Sequence, residues 1–255
     1  HIYISSVSHF RDVRQPDESY HRTRRLQKQP PLRNNELPMP TLSASDSELF
    51  PITTNLNRQN NITVGGCDLT DLANKYGTPL YIYDKETIRH MCQQFLGNFR
   101  ENYEKSHVEY SSKAFANPTV SKIIEKEGLK MDVVTGGELA FAKSAGFAPQ
   151  NLNFHGNNKD HNELSEALAY GVGRITIDSF HEIELLNKIS SEFNLVQPVL
   201  LRLSPSVDPH THLLTTTGVL DSKFGFSIET GAAEEAVKKA MSAPNLDVMG
   251  FHFHL

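Results

Sequence analysis

Six side chains with the chemistry of an enzyme site share a kind of address in this chain. Lys113, Asp132, His155, Asp178, Arg202 and His254 each lie at or near the end of a short β-rich run. Lys113 closes one such run in "YSSKAFANP", residues 110–118, just before a helix start. A lysine there has two readings. One is a surface cation, where most lysines are found. The other is an amine partly withdrawn from water, with a lowered pKa that frees it to bond a carbonyl group. Strand side chains alternate, so an inward Lys113 shares its face with Ser111 and Glu109, while Tyr110 and Ser112 point away. Two His-x-His pairs, His210/His212 and His252/His254, pose a rival chemistry. Paired imidazoles on one strand face occur in metal-dependent barrel hydrolases, and Asp178 would serve as a further ligand.

The elements that must position these residues follow a regular order. Residues 39–84 form a lead-in segment: strand-like "NITVGG", helical "DLTDLANKYG" and strand-like "PLYIYD". Asp68 is placed to cap that helix and Gly77 to stop it. From residue 85, helical and strand-like segments alternate about every 20–30 residues through "HVEYSSK", "KMDVVTG", "NLNFHGN", "RITIDS", "PVLLRLSP" and "LDVMGFHFHL". Strands alternating with helices predict a parallel sheet. A doubly wound sheet and a (β/α)8 barrel both fit. No Gly-x-Gly-x-x-Gly follows the first strand, which speaks against a dinucleotide fold. Polar residues at strand C-termini match the active face of a barrel. About six barrel strands are expected here, short of the eight that closure needs.

Bulk composition sets the outer limits. The 255 residues are 38% hydrophobic and 22% charged, with net charge −5. That balance offers no footprint for nucleic acid or a membrane surface, and no apolar run approaches a span of about 18 residues. Residues 1–38 are basic, polar and dotted with proline. They are expected to be a disordered or non-native leader, with translation beginning at Met39. Cys67 and Cys92 make no disulfide framework, so a reducing cytoplasm is the expected compartment.

Several of these segments resemble a known family. Tyr110-Ser111-Ser112-Lys113-Ala114 is similar to the cofactor-lysine motif Tyr-Ala-x-Lys-Ala of the fold-type III pyridoxal-phosphate decarboxylases, with Ser111 in place of the usual alanine. "MDVVTGGELAFAKSAGF", "NFHGNNK" and "GFHFHL" resemble further family segments. "SPSVDPHTHLLTTTGVLDSKFGF", residues 204–226, resembles a stretch typical of the diaminopimelate decarboxylases. The match runs in order from about Phe50 to Leu255.

The resemblance implies an α/β fold of the TIM type, the alanine racemase-like (β/α)8 barrel, incomplete here. The lead-in segment would belong with a C-terminal β-domain and residues 85–255 with the cofactor-binding barrel. It implies pyridoxal 5'-phosphate held as an imine on Lys113, with His254 flat against the pyridine ring and Asp132 and Arg202 beside Lys113. Glu138 would help order this group, and His155 and Asn157 would line the mouth. No metal is implied. The implied reaction is decarboxylation of meso-2,6-diaminopimelate to L-lysine by a cytoplasmic homodimer, with the 255-residue chain alone expected to be inactive. Alternatives are a pyridoxal-phosphate barrel of cofactor homeostasis and a decarboxylase of arginine or carboxynorspermidine.

Overall fold

The structure is a computed structural model that describes residues 49–205 and 224–254, together with the backbone of 2–6 and 9–13. Met39 and the pair His210/His212 lie outside the described residues. The chain divides into two compact units, 1–95 and 96–255. The sequence pattern places the division at 84/85, where a helix begins (Lys85–Asn102); by contacts it falls within that helix.

The first unit holds two three-stranded antiparallel sheets. One joins β1 (Ile2–Ser6), β2 (His9–Val13) and β6 (Tyr81–Asp84). The expected leader thus contains two strands. "IYISS" carries the β-branched and aromatic residues that favour one, whereas the polar stretch that prompted the leader reading lies after Val13. The other sheet joins β3 (Asn55–Leu56), β4 (Ile62–Val64) and β5 (Cys67–Asp68). Helix α1 (Leu69–Tyr76) starts as expected: the Asp68 carboxylate accepts from the N–H groups of Thr70 and Asp71. Its Leu72 packs with Val64, Tyr76 and Ile82 in a small core. Helix α2 (Lys85–Asn102) leads into the second unit.

The second unit is a parallel sheet with helices between its strands. Strands β7 (Glu109–Ser111), β8 (Lys130–Val133), β9 (Leu152–Phe154), β10 (Arg174–Ile177), β11 (Gln197–Ser204) and β13 (Leu246–His252) pair in that order, all parallel. The two-residue β12 (Phe226–Ser227) extends the end of β11. Intervening helices are α3 (Pro118–Lys126), α4 (Gly136–Ser144), α5 (His161–Tyr170), α6 (Phe180–Glu192) and α7 (Ala232–Met241). Their starts are written at the strand exits. Asn117, Thr135, Asp160 and Ser179 each cap the following helix by accepting backbone N–H groups.

Alternation gives the sheet two unlike faces. Met131, Val133, Leu152, Phe154, Ile175, Ile177, Val199 and Leu201 share one face and are at most 2% exposed. That face forms the apolar core. The other face carries Glu109, Asp132, Asn153, Thr176 and Arg202. Across it Arg174 pairs with Glu109 at 3.3 Å and Thr176 bonds Asn153 at 3.2 Å. This is the incomplete (β/α)8 wall that the segment spacing predicts: an apolar outside under helices and a polar inside leading to the strand ends.

Candidate active site

Lys113 is not on a strand. Strand β7 stops at Ser111, and Ser112–Ala114 form a single 3-10 turn before Asn117 caps α3. The alternation argument therefore ends two residues early: Glu109 and Ser111 share the inner face, but the turn sets the direction of Lys113. Two contacts fix that turn. The buried Ser112 hydroxyl donates to Glu138 Oε2 at 2.6 Å, and the Tyr110 hydroxyl donates to the Phe115 carbonyl at 2.9 Å. Glu138 Oε2 also accepts from Val134 N at 2.7 Å. The carboxylate thus lies in the first turn of α4, where a negative charge suits the helix dipole, and ties the end of β8 to the residue before Lys113. Lys113 itself is exposed, not withdrawn from water as an inward strand lysine would be.

Lys113 lines a cavity of about 190 Å³ together with His155, Asn157, Arg202 and His254. Val134, Gly156 and Phe224 complete the wall. The polar members come from the ends of four different strands, which only a parallel sheet brings to one rim.

A chain of polar contacts runs across the floor. Arg202, with its side chain 6% exposed, meets Asp178 Oδ1 at 3.0 Å. Its Nη1 also lies 3.3 Å from His155 Nε2. A guanidinium only donates, so His155 Nε2 accepts and the ring proton sits on Nδ1. That Nδ1 faces Asp132 Oδ2 at 3.5 Å, too long for a firm hydrogen bond. The guanidinium carbon sits 4.5 Å from the Phe224 ring centre. Asp178 Oδ2 accepts from Gly225 N at 3.1 Å. Gly225 has φ +68°, and a Cβ there would stand 2.6 Å from the Arg202 carbonyl oxygen, so only glycine permits the approach.

His252, the last residue of β13, and His254, two residues beyond it, turn to this side, while Phe251 and Phe253 are exposed. The His252 ring packs 4.5 Å from His155, centre to centre, at 46°. Burial first, then the neighbouring His155 ring and the Arg202 cation, push the His252 pKa down to about 4. Burial and the Lys113 and Arg202 cations hold His254 below the ordinary imidazole value. Both rings are therefore neutral at pH 7. Among the described residues no group of three or more His, Cys, Asp or Glu is placed to hold a metal ion. Asp178, a ligand candidate in the metal reading, is instead the partner of Arg202.

Residues 86–255 match the family described as "pyridoxal-dependent decarboxylase, pyridoxal binding domain". The chain belongs to the pyridoxal-dependent decarboxylases. It is 44% identical over 206 residues to a diaminopimelate decarboxylase of Bacillus methanolicus, covering 81% of this chain and 48% of that protein. A diaminopimelate decarboxylase of Bacillus subtilis (strain 168) is 42% identical over 203 residues, 80% of this chain and 46% of that one. The crystal structure of diaminopimelate decarboxylase from M. jannaschii in co-complex with L-lysine superposes with a TM-score of 0.71 at 29% identity, over 80% of this chain and 48% of that one. The chain spans about half the length of the curated relatives it matches.

The cavity fits the guest such a decarboxylase domain takes. It offers an exposed amine, the His155 and His254 imidazoles in its wall, and unmet hydrogen-bonding capacity on the His155 ring and on the groups beside it. Asp132 Oδ1, His155 Nδ1 and His252 Nδ1 are buried without a hydrogen-bond partner, a state proteins rarely leave unresolved. Lys113, Asp132, His155, Arg202 and His254, which the strand-end pattern points to, lie together in the structure. Phe224 and Val134 carry no sequence signal beyond core, and the buried Lys159 and Glu182 behind the cavity carry none either.

Proposed function

We propose that this chain is the cofactor-binding part of a diaminopimelate decarboxylase, which converts meso-2,6-diaminopimelate to L-lysine and CO2. The observation that carries the reading is Lys113, an exposed amine on a braced turn at the rim of a polar cavity, in a chain 44% identical to such an enzyme. Pyridoxal 5'-phosphate supplies, when bound, an electron-withdrawing ring that accepts the electron pair left as CO2 departs.

The chain's own residues do the rest. Lys113 would hold the cofactor through its side-chain amine. Neutral His254 would bound the cofactor's side of the cavity without adding charge. Asp132 Oδ1 would offer an acceptor that no group among the described residues meets. Arg202, locked by Asp178, keeps a fixed positive charge on the floor and holds the His155 tautomer. Glu138 positions Lys113 through Ser112. The full-length enzyme is a cytoplasmic homodimer in this reading, and the 255-residue chain alone does not turn over substrate.

The test is direct. Protein mixed with pyridoxal phosphate and reduced with borohydride should carry the adduct on the peptide containing Lys113. An adduct on Lys122 or Lys126 instead would overturn the assignment. Full-length enzyme should release CO2 from meso-diaminopimelate in preference to arginine; the reverse preference would move the chain to a sister activity.

A further inference from the structure

Behind the cavity lies a second pair of charges that the reaction above does not use. Lys159 has a side chain 1% exposed and Glu182 one that is 4% exposed, with Lys159 Nζ 2.7 Å from Glu182 Oε1. The same Nζ donates to the carbonyl oxygens of Gly156 and, at 2.9 Å, of Thr176. Two of its donors thus meet backbone carbonyls, and its charge faces the Glu182 carboxylate as an ion pair. Glu182 Oε2 accepts in turn from Asp178 N at 3.2 Å. Burial raises the Glu182 carboxyl, while Lys159 and the Asp178 N–H act against that rise.

Stability alone gives a poor reason for such a pair. Replacing a buried ion pair by apolar groups of similar volume is often neutral or stabilising. What an apolar pair lacks is direction. Here every bond from the pair ends on backbone of a segment that builds the cavity. Gly156 is in the wall at φ +125°, and a Cβ there would press on the Val134 carbonyl oxygen at 3.0 Å. Asp178 holds Arg202 on the floor. One lysine–glutamate pair therefore sets both the wall after β9 and the floor after β10.

We propose that Lys159 and Glu182 are positioning residues for the cavity: they fix the Gly156–Asn157 wall and the Asp178–Arg202 floor at the spacing its guest needs. The proposal rests on the pyridoxal-phosphate reading for the identity of that guest, but not for the positioning itself. Lys159→Met and the double variant Lys159→Met/Glu182→Leu, made in the full-length protein, test it. The double variant leaves no unpaired buried charge, so it is expected to fold with a thermal midpoint close to wild type. Amide hydrogen exchange in the protein without cofactor should quicken at 156–158 and 178–179 and stay slow in β10 and β11. Equilibrium dialysis should show pyridoxal phosphate bound about tenfold or more weakly, the scale seen when groups that orient a site are removed. Unchanged exchange at those segments in a folded double variant, or failure of both variants to fold, would overturn the proposal. Wild-type protein that takes up no pyridoxal phosphate would overturn the functional reading, while the exchange pattern would still decide the positioning.

Discussion

At the scale of single residues, the floor is held by charges that cannot be removed singly. Asp178→Ala would leave the Arg202 guanidinium buried without its carboxylate. Breaking one side of a buried pair costs roughly 3–5 kcal/mol. That loss should appear as a lowered urea midpoint, and Asp178→Ala/Arg202→Met should recover much of it. His252 makes stability depend on pH with a definite sign. Its folded pKa of about 4 lies below the ordinary 6.5, so the unfolded chain binds a proton first as pH falls. Its contribution is whole above pH 6.5 and is lost progressively from there toward pH 4. The denaturant midpoint of wild type should fall over this window more than that of His252→Asn; parallel slopes would contradict the assignment. Much of this residue set was legible because a parallel sheet puts one polar side chain at each strand end. Lys159 and Glu182 were not, since their partners are mostly backbone groups, and a sequence does not display which carbonyls converge. Glu182, three residues after Ser179, reads simply as a first-turn helix carboxylate.

At the scale of elements, the legible part is the alternation and its punctuation. The residues that end strands also begin helices, so each signal is written twice. Asp160 shows this in full. Its side chain accepts from Glu163 N, while the Glu163 carboxylate accepts from Asp160 N and, at 2.8 Å, from Gly136 N at the start of α4. Asp160→Ala should cost about 1 kcal/mol, the usual worth of such a cap, read as a shift in urea midpoint. Pyridoxal-phosphate uptake should be unchanged, because Asp160 is outside the cavity; a matching loss of uptake would mean that α5 does more than support. Less legible was the phase of β13. Val248 pairs with Val199 but Gly250 pairs with Leu200, so Met249 is the extra residue of a bulge. Val248 and His252 share sequence parity and yet face opposite ways. Simple alternation counted from Val248 would have turned His252 and His254 out of the site. Pairing registers, which depend on the neighbouring strand, decide this, and local sequence does not encode them.

At the scale of the whole molecule, the described part of the sheet has two unpaired borders. Strand β7 pairs with β8 alone and β13 with β11 alone. Beside the β13 border stand Met249, Phe251 and Phe253, exposed at 60%, 56% and 59%. An open strand edge beside large apolar side chains is a template for pairing with another chain. Parallel barrels remove this hazard by closing on themselves. The 255-residue chain expressed by itself is therefore expected to associate. Sedimentation velocity should show species larger than the monomer, growing with protein concentration. Phe251→Lys/Phe253→Lys should shift the distribution back toward monomer, since charges on an edge oppose such pairing. These side chains lie outside the cavity, so the effect would not come through cofactor contacts. A chain that stays monomeric at every concentration, or whose association ignores the two lysines, would show that this border is not where it meets its neighbour.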